Sequence, residues 1–272
     1  MLIVTCIKQV PDTTQVKIDP VTGTLIREGV PSIINPFDAH ALEESLRLKD
    51  KYGFKVIAIS MGPPSAEMTL RKAVALGVDD AILLSDRAFG GADTLATSMV
   101  LASAIKKLSE EDEVALVLCG KQTIDGDTAQ VGPGIASRLG YTQLTSVDKV
   151  EEVDLKKKRI TVRCKFEGRY EILNSCLPAM IAVLREINRP RYPTVPMRLM
   201  ADEAKIKVWD NKVMKINEDE IGLKGSATAV RRIFSPDKAA GQILGGGEQL
   251  DPEEAARMLI NKLVSKNLIS LQ

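Results

Sequence analysis

The sequence holds a single histidine, His40, and four scattered cysteines, Cys6, Cys119, Cys164 and Cys176, with no Cys-x-x-Cys pair. A structural zinc or an iron–sulfur cluster needs grouped His and Cys ligands, so no metal site is expected. The same shortage leaves no Ser–His–Asp or Cys–His set, and no protein nucleophile or catalytic base is expected. Aromatic residues make up only 4% of the chain, too few for the stacking platforms that hold single-stranded nucleic acid. Lys and Arg total 37 against 36 Asp and Glu, so no overall field recruits nucleic acid or an anionic membrane. No apolar run reaches transmembrane length, and the opening one stops at Lys8, too soon for a signal peptide. A reduced, cytoplasmic protein is the expectation. The usual nucleotide signatures are missing as well. There is no Walker A sequence, and Gly132-Pro133-Gly134-Ile135-Ala136-Ser137 only superficially matches G-x-G-x-x-G. It falls inside an expected helix rather than in a strand-to-helix turn, so its glycines are read as packing residues.

What is present is a regular alternation of two periods. Apolar, β-rich runs lie at Leu2–Ile7, Lys55–Ser60, Ala81–Leu84 and Val114–Cys119. Between them, helical spacing marks Ala39–Lys51, Ser65–Leu76, Thr94–Leu108 and a helix from about Asp127 to Arg138, with Gly140 as its C-cap. Near-continuous apolar strands joined by amphipathic helices predict an α/β fold with a parallel sheet covered on both faces. A long insertion, Val10 to Phe37, interrupts the first crossover. Asp19–Gly23 reads as a turn joining short strands at Gln15–Ile18 and Thr24–Arg27. It is either functional or a surface hairpin.

After Gly140 the grammar changes. Val147–Val153, Arg159–Phe166 and Tyr170–Asn174 read as consecutive antiparallel strands, and Ala179–Leu184 as another buried strand. The acidic run Glu151–Asp154 and the basic run Lys156–Arg159 flank a solvated turn. From Glu186 apolar periodicity thins and prolines gather at 190, 193 and 196. The division expected is a nucleotide-binding domain over 1–185 and an arm over 186–272 that packs on a partner, since so little core cannot offset its ordering entropy alone. Asp251 is the N-cap expected for a helix near Pro252–Lys266.

The segment richest in chemistry is Leu118-Cys119-Gly120-Lys121-Gln122-Thr123-Ile124-Asp125-Gly126-Asp127-Thr128-Ala129-Gln130-Val131-Gly132. It leaves a buried strand, crosses a small polar loop and opens a helix, which is where open α/β sheets bind nucleotides. Amides near Asp127–Gln130 form the positive helix end that attracts phosphate. Two aspartates repel a pyrophosphate, so backbone amides and the Thr123 and Thr128 hydroxyls become the expected donors. Asp127 then caps the helix and Asp125 faces a ribose or the loop backbone. A plain Asp N-cap with no ligand is the competing reading.

Several stretches together resemble the small (beta) subunit of electron-transfer flavoproteins, over nearly the whole chain. They are Val4-Thr5-Cys6-Ile7-Lys8-Gln9-Val10, Asn35-Pro36-Phe37-Asp38 with Ala41-Leu42-Glu43-Glu44, Ser60-Met61-Gly62-Pro63, the Gly120–Gly132 loop and Asn188-Arg189-Pro190-Arg191-Tyr192. The resemblance implies an adenine-nucleotide-binding, Rossmann-like domain with a C-terminal arm around an alpha subunit. It places the pocket at Cys6, at Asn35, Pro36, Phe37 and Asp38, at Met61, and at Gly120, Lys121, Gln122, Thr123, Ile124, Asp125, Gly126, Asp127, Thr128, Ala129, Gln130 and Val131.

Two branches of that family differ in occupant: AMP in the housekeeping shuttle, the adenylate of a second FAD in the electron-bifurcating branch. Val10-Pro11-Asp12-Thr13 and Asp19-Pro20-x-Thr22 with Leu25, Arg27, Gly29 and Val30 resemble the bifurcating pattern, as does Asp86–Thr94. That second stretch implies Asp93, Thr94 and Thr97 beside a flavin; the alternative is a loop with Asp93 as N-cap. The bifurcating resemblance implies NADH as donor and ferredoxin or flavodoxin as low-potential acceptor. Through an alpha-subunit FAD, the other electron passes to an acyl-CoA or hydroxy-acid dehydrogenase. Val195 stands where family members often carry the leucine that anchors the dehydrogenase, on a stretch that Pro193 and Pro196 are expected to hold extended. Lys165 replaces an acidic residue of housekeeping members. A universal-stress-type nucleotide module and an independent NAD dehydrogenase are the remaining alternatives. The first gives no reason for the arm, and the second is opposed by the missing fingerprint and base.

Overall fold

The computed structural model describes residues 1–12, 31–230, 241 and 251–270. The expected hairpin strands at Gln15–Ile18 and Thr24–Arg27 lie outside the described residues. On either side of them, β2 (Gln9–Pro11) pairs antiparallel with β3 (Ser32–Ile34).

The main body runs from Met1 to Arg231. Strands β1 (Leu2–Cys6), β4 (Lys55–Met61), β5 (Asp80–Leu84) and β6 (Val114–Gly120) alternate with α1 (Pro36–Tyr52), α2 (Glu67–Leu76), α3 (Thr94–Ser109) and α4 (Val131–Leu139). Then come β7 (Thr142–Asp154), β8 (Arg159–Phe166), β9 (Arg169–Cys176) and β10 (Ala179–Val183). After them lie α5 (Val195–Glu203), β11 (Lys207–Trp209) and the single-turn α6 (Asn211–Met214). One nine-stranded sheet has the order β11-β5-β4-β1-β6-β10-β7-β8-β9. It is parallel from β11 to β7, and β7, β8 and β9 close it as an antiparallel meander.

The two faces explain why the strands read as unbroken apolar runs. Ile3, Val56, Ala58, Leu83, Leu116 and Leu118 point to the layer of α1 and α2, packing with Leu42, Leu46 and Leu70. Leu2, Val4, Ile57, Ile59, Ile82 and Val117 point to the layer of α3 and α4, packing with Val100, Ile105 and Ile135. With a core on each side, successive residues of a strand are both apolar. The expected α/β fold with helices on both faces is the fold observed.

Two expectations change. Helix α4 starts at Val131, four residues after Asp127. Asp127 and Ala129 take positive φ, 57° and 55°, which a right-handed helix does not tolerate. Asp127 therefore caps nothing, and Gln130 precedes the helix without a side-chain cap. Inside α4, a β-carbon on Gly132 would stand 2.8 Å from Cys119 Sγ, and one on Gly134 would stand 2.8 Å from Ser98 Cβ, so both are packing glycines.

Around Val195 the chain is helical rather than extended. Thr194 caps α5 by accepting the Met197 N–H, and Pro196 sits in the first turn, where its missing N–H costs nothing.

The compact body also reaches well past residue 185. β11 adds to the free edge of β5, Arg71 Nη1 donates to the Ala201 and Asp202 carbonyls at the end of α5, and Arg191 forks onto Glu43 at 2.9 and 3.2 Å. Arg191, the end of α5 and β11 thus find partners on the sheet domain itself. In the separate C-terminal unit, Arg232–Gln272, α7 (Pro252–Ser265) is capped by Asp251, which accepts the Glu253 N–H. Among the described residues no helix is long and apolar enough to cross a membrane.

Candidate nucleotide site

Strand order creates a crevice. From β1 the chain builds outward to β4 and β5, then returns to β6 on the other side of β1. The connections leaving the carboxyl ends of β1 and β6 therefore run to opposite faces, to α1 and to α4, which is the switch point at which open α/β sheets bind ligands.

The first turn of α1 ties the two ends together. Asp38 is 5% exposed; its Oδ2 accepts the Lys8 N–H at 2.8 Å and its Oδ1 accepts the Gly120 N–H at 2.9 Å. Burial pushes its carboxyl up to about 7, against the pull of those two amides, Asn35 and the Lys8 charge. Asn35 is fully buried. Its Nδ2 donates to the Gln122 carbonyl at 2.9 Å and its Oδ1 accepts the Ile124 N–H at 3.2 Å. Its own N–H donates to the Lys8 carbonyl at 2.9 Å. Asn35 and Asp38 thus spend their polar atoms on the protein, shaping the loop after β6.

A cleft of about 660 Å³ opens beside this clamp, lined by Phe37, by Lys121, Gln122, Ile124, Asp125, Gly126 and Asp127, and by Leu184, Arg185 and Glu186. The volume falls in the range of small-molecule sites. The Arg185 guanidinium stacks on the Phe37 ring at 4.4 Å. Three carboxylates lie on the rim, and each has its own partner. Asp125 receives Lys8 Nζ at 2.8 Å, Asp127 receives the Gln122 amide, and Glu186 receives Lys165 Nζ at 2.8 Å. Asp125 thus pairs with Lys8, with Thr123 and its own backbone amide as further partners.

Of the expected site residues, Phe37, Lys121, Gln122, Ile124, Asp125, Gly126 and Asp127 line this cleft. Cys6 and Gly120 end neighbouring strands, and Met61 ends β4 on the far side of β1. Thr128 is exposed and Ala129 half-buried on the turn before α4. Asp93 lies at the start of α3, where it accepts the Leu95 and Ala96 N–H groups, as the capping alternative has it. Its second oxygen accepts from the Thr228 N–H and hydroxyl. Thr94 Oγ1 donates to Gln130 Oε1 at 2.8 Å, linking α3 to the loop, while Thr97 is half-buried one turn on. Val195 is 73% exposed on α5 and does not line the cleft. Lys8 and the Leu184–Glu186 wall were not among the expected residues. Only the adjacency of β10 to β6 brings that wall in.

Cys6 and Cys119 are buried at the strand ends. Burial, then their mutual proximity and Asp38, push the Cys6 thiol up; burial and then Asp38 do the same for Cys119. Both stay protonated and behave as small apolar groups.

The family description "Electron transfer flavoprotein domain" matches residues 22–214. Among similar proteins, Protein FixA of Azotobacter vinelandii is 48% identical over 97% of this chain and 95% of its own. The electron transfer flavoprotein subunit beta of Clostridium acetobutylicum is 48% identical over 99% of this chain and all of its own. The caffeyl-CoA reductase-Etf complex subunit CarD of Acetobacterium woodii is 47% identical over 99% of this chain and all of its own. With a family match across most of its length and relatives this close end to end, the chain belongs to the electron transfer flavoprotein family, as a beta subunit.

Proposed function

We propose that this chain pairs with an electron transfer flavoprotein alpha subunit in the cytoplasm, and that its crevice holds the adenylate end of a FAD. Bound there, the flavin supplies hydride acceptance from NADH and one-electron delivery to ferredoxin or flavodoxin and, through an alpha-subunit FAD, to an acyl-CoA or hydroxy-acid dehydrogenase.

The observation that carries this reading is the switch-point crevice itself, whose wall is clamped by Asn35 and Asp38. The residues present fit an adenylate. Helix α4 opens without a side-chain cap, leaving the Val131 and Gly132 amides for an anionic group. Lys121 and Arg185 add positive charge to the cleft. The left-handed Asp127 and Ala129 form a strained turn of the kind that clusters at ligand clamps. On this reading Phe37 offers apolar surface for a base, with Cys6 and Met61 at the neighbouring strand ends, and Asp93, Thr94 and Thr97 at the start of α3 serve the rest of a flavin. The relative named as part of a caffeyl-CoA reductase-Etf complex favours a dehydrogenase partner of the acyl-CoA class. Val195 marks its docking surface, and the portion of the expected arm beyond Arg231 packs on the alpha subunit.

A second reading has AMP in the same crevice. The engagement of Asp93 with Thr228 and of Thr94 with Gln130 favours it, since both side chains are already satisfied within the protein. Releasing the cofactors from the purified heterodimer by denaturation and counting them separates the two. Two FAD per heterodimer, with flavin bleaching by NADH, supports the first; one FAD with one AMP, and no bleaching, supports the second.

A further inference from the structure

Lys8 lies just beyond β1 and its backbone is held from both sides. Its N–H is bonded by Asp38 and its carbonyl by the Asn35 N–H. From this fixed point the side chain reaches the loop after β6 and places Nζ 2.8 Å from both oxygens of Asp125, a residue 117 positions away. The ammonium does not line the cleft, whereas Asp125 does. Burial alone would raise the Asp125 carboxyl, but Lys8, then Thr123 and its own backbone amide, outweigh it and hold it below the usual range. The carboxylate is thus kept ionised beside a cleft that, on the reading above, receives a phosphate.

We propose that Lys8 is a positioning residue for the nucleotide: it neutralises Asp125, and it acts through Asp125 without touching the ligand. Two features of the site support this. An unpaired Asp125 on the rim would repel an anion across a few ångströms. The pair is also partly open to solvent, Lys8 at 46% and Asp125 at 31%, so losing it is expected to change affinity by a few-fold rather than to unfold the chain.

The inference rests on the crevice being the adenylate site, so the test is built to separate the two. The probe is AMP, the half common to both candidate occupants, titrated into heterodimer stripped of the beta-subunit nucleotide. Lys8→Met should weaken AMP by about fivefold, the scale of a part-exposed charge contact, and Lys8→Gln should do the same. Asp125→Asn should tighten it. The double variant Lys8→Met/Asp125→Asn should return to within about twofold of the unmodified heterodimer, because the charge that needed neutralising is gone. A double variant as weak as Lys8→Met would mean that Lys8 touches the nucleotide directly, and would overturn the proposal. So would a Lys8→Met heterodimer that binds AMP as before. If the unmodified heterodimer neither carries nor binds an adenine nucleotide at this crevice, the underlying reading of the site fails instead.

Discussion

Asp38 and Gly120 touch across the switch point: the Asp38 carboxylate accepts the Gly120 N–H at 2.9 Å, and a β-carbon on Gly120 would stand 2.6 Å from the same oxygen. The clamp and the glycine therefore require each other. Such a β-carbon would also meet the Phe37 carbonyl carbon at 2.7 Å, which is backbone and cannot rotate away.

Gly120→Ala is accordingly expected to destabilise the chain by roughly 2 kcal/mol, in the range of overpacked sites. For a body of this size that is about 4–8 °C in melting temperature. Adenine nucleotide retention should fall with it. A thermal melt of the heterodimer decides the matter, and an unchanged midpoint would show that α1 can move aside.

Asp38 should leave a signature in the pH dependence of stability. Its carboxyl titrates at about 7 when folded and at the ordinary 3.8 when unfolded. Between those values the folded chain holds a proton that the unfolded chain has released, so stability rises as pH falls from 7 toward 4, by up to about 1.4 kcal/mol per unit. Above pH 7 this contribution is flat. Asp38→Asn removes it, so the stability advantage of the unmodified chain over the variant should shrink as pH rises from 5.5 to 7.5. Parallel stability curves for the two would mean that Asp38 is ionised throughout.

Replacing Asn35 with Ala strips partners from the Gln122 carbonyl and the Ile124 N–H. Leaving such groups unpaired costs about 1–3 kcal/mol each where water cannot replace the partner. The loss should concentrate in the loop rather than the sheet. Hydrogen exchange at the Ile124 amide should accelerate while the amides of β1 and β6 stay protected. Uniform acceleration would place Asn35 in the global fold instead.

At Val195 the expected outcome is functional and not structural. The side chain is 73% exposed in the first turn of α5, where an acidic group suits the helix dipole. Val195→Glu should leave melting within about 1 °C, in line with other surface changes, yet slow electron delivery to the dehydrogenase while sparing NADH reduction of the flavin. Equal slowing of both steps would remove Val195 from the docking surface.

Much of this protein is legible locally. The two-sided sheet is written in strands such as Leu2–Cys6, every residue of which is buried, because a strand with a core on each face cannot alternate polar and apolar. The polar loop after β6 is marked by Gly120 and Gly126, and the caps at Asp93 and Asp251 follow from the affinity of a carboxylate for free amides. Tertiary structure decided what no window of sequence contains. The start of α4 moved to Val131 because Asp127 and Ala129 adopt left-handed backbone, a choice that local propensity does not encode for alanine. Val195 became helical once α5 found α2 to pack on, with Arg71 binding the carbonyls at its far end. Above all, parallel strands take their order from how the crossover helices pack, not from the period of any one strand. That order alone set β1 beside β6, β6 beside β10, and Lys8 against Asp125.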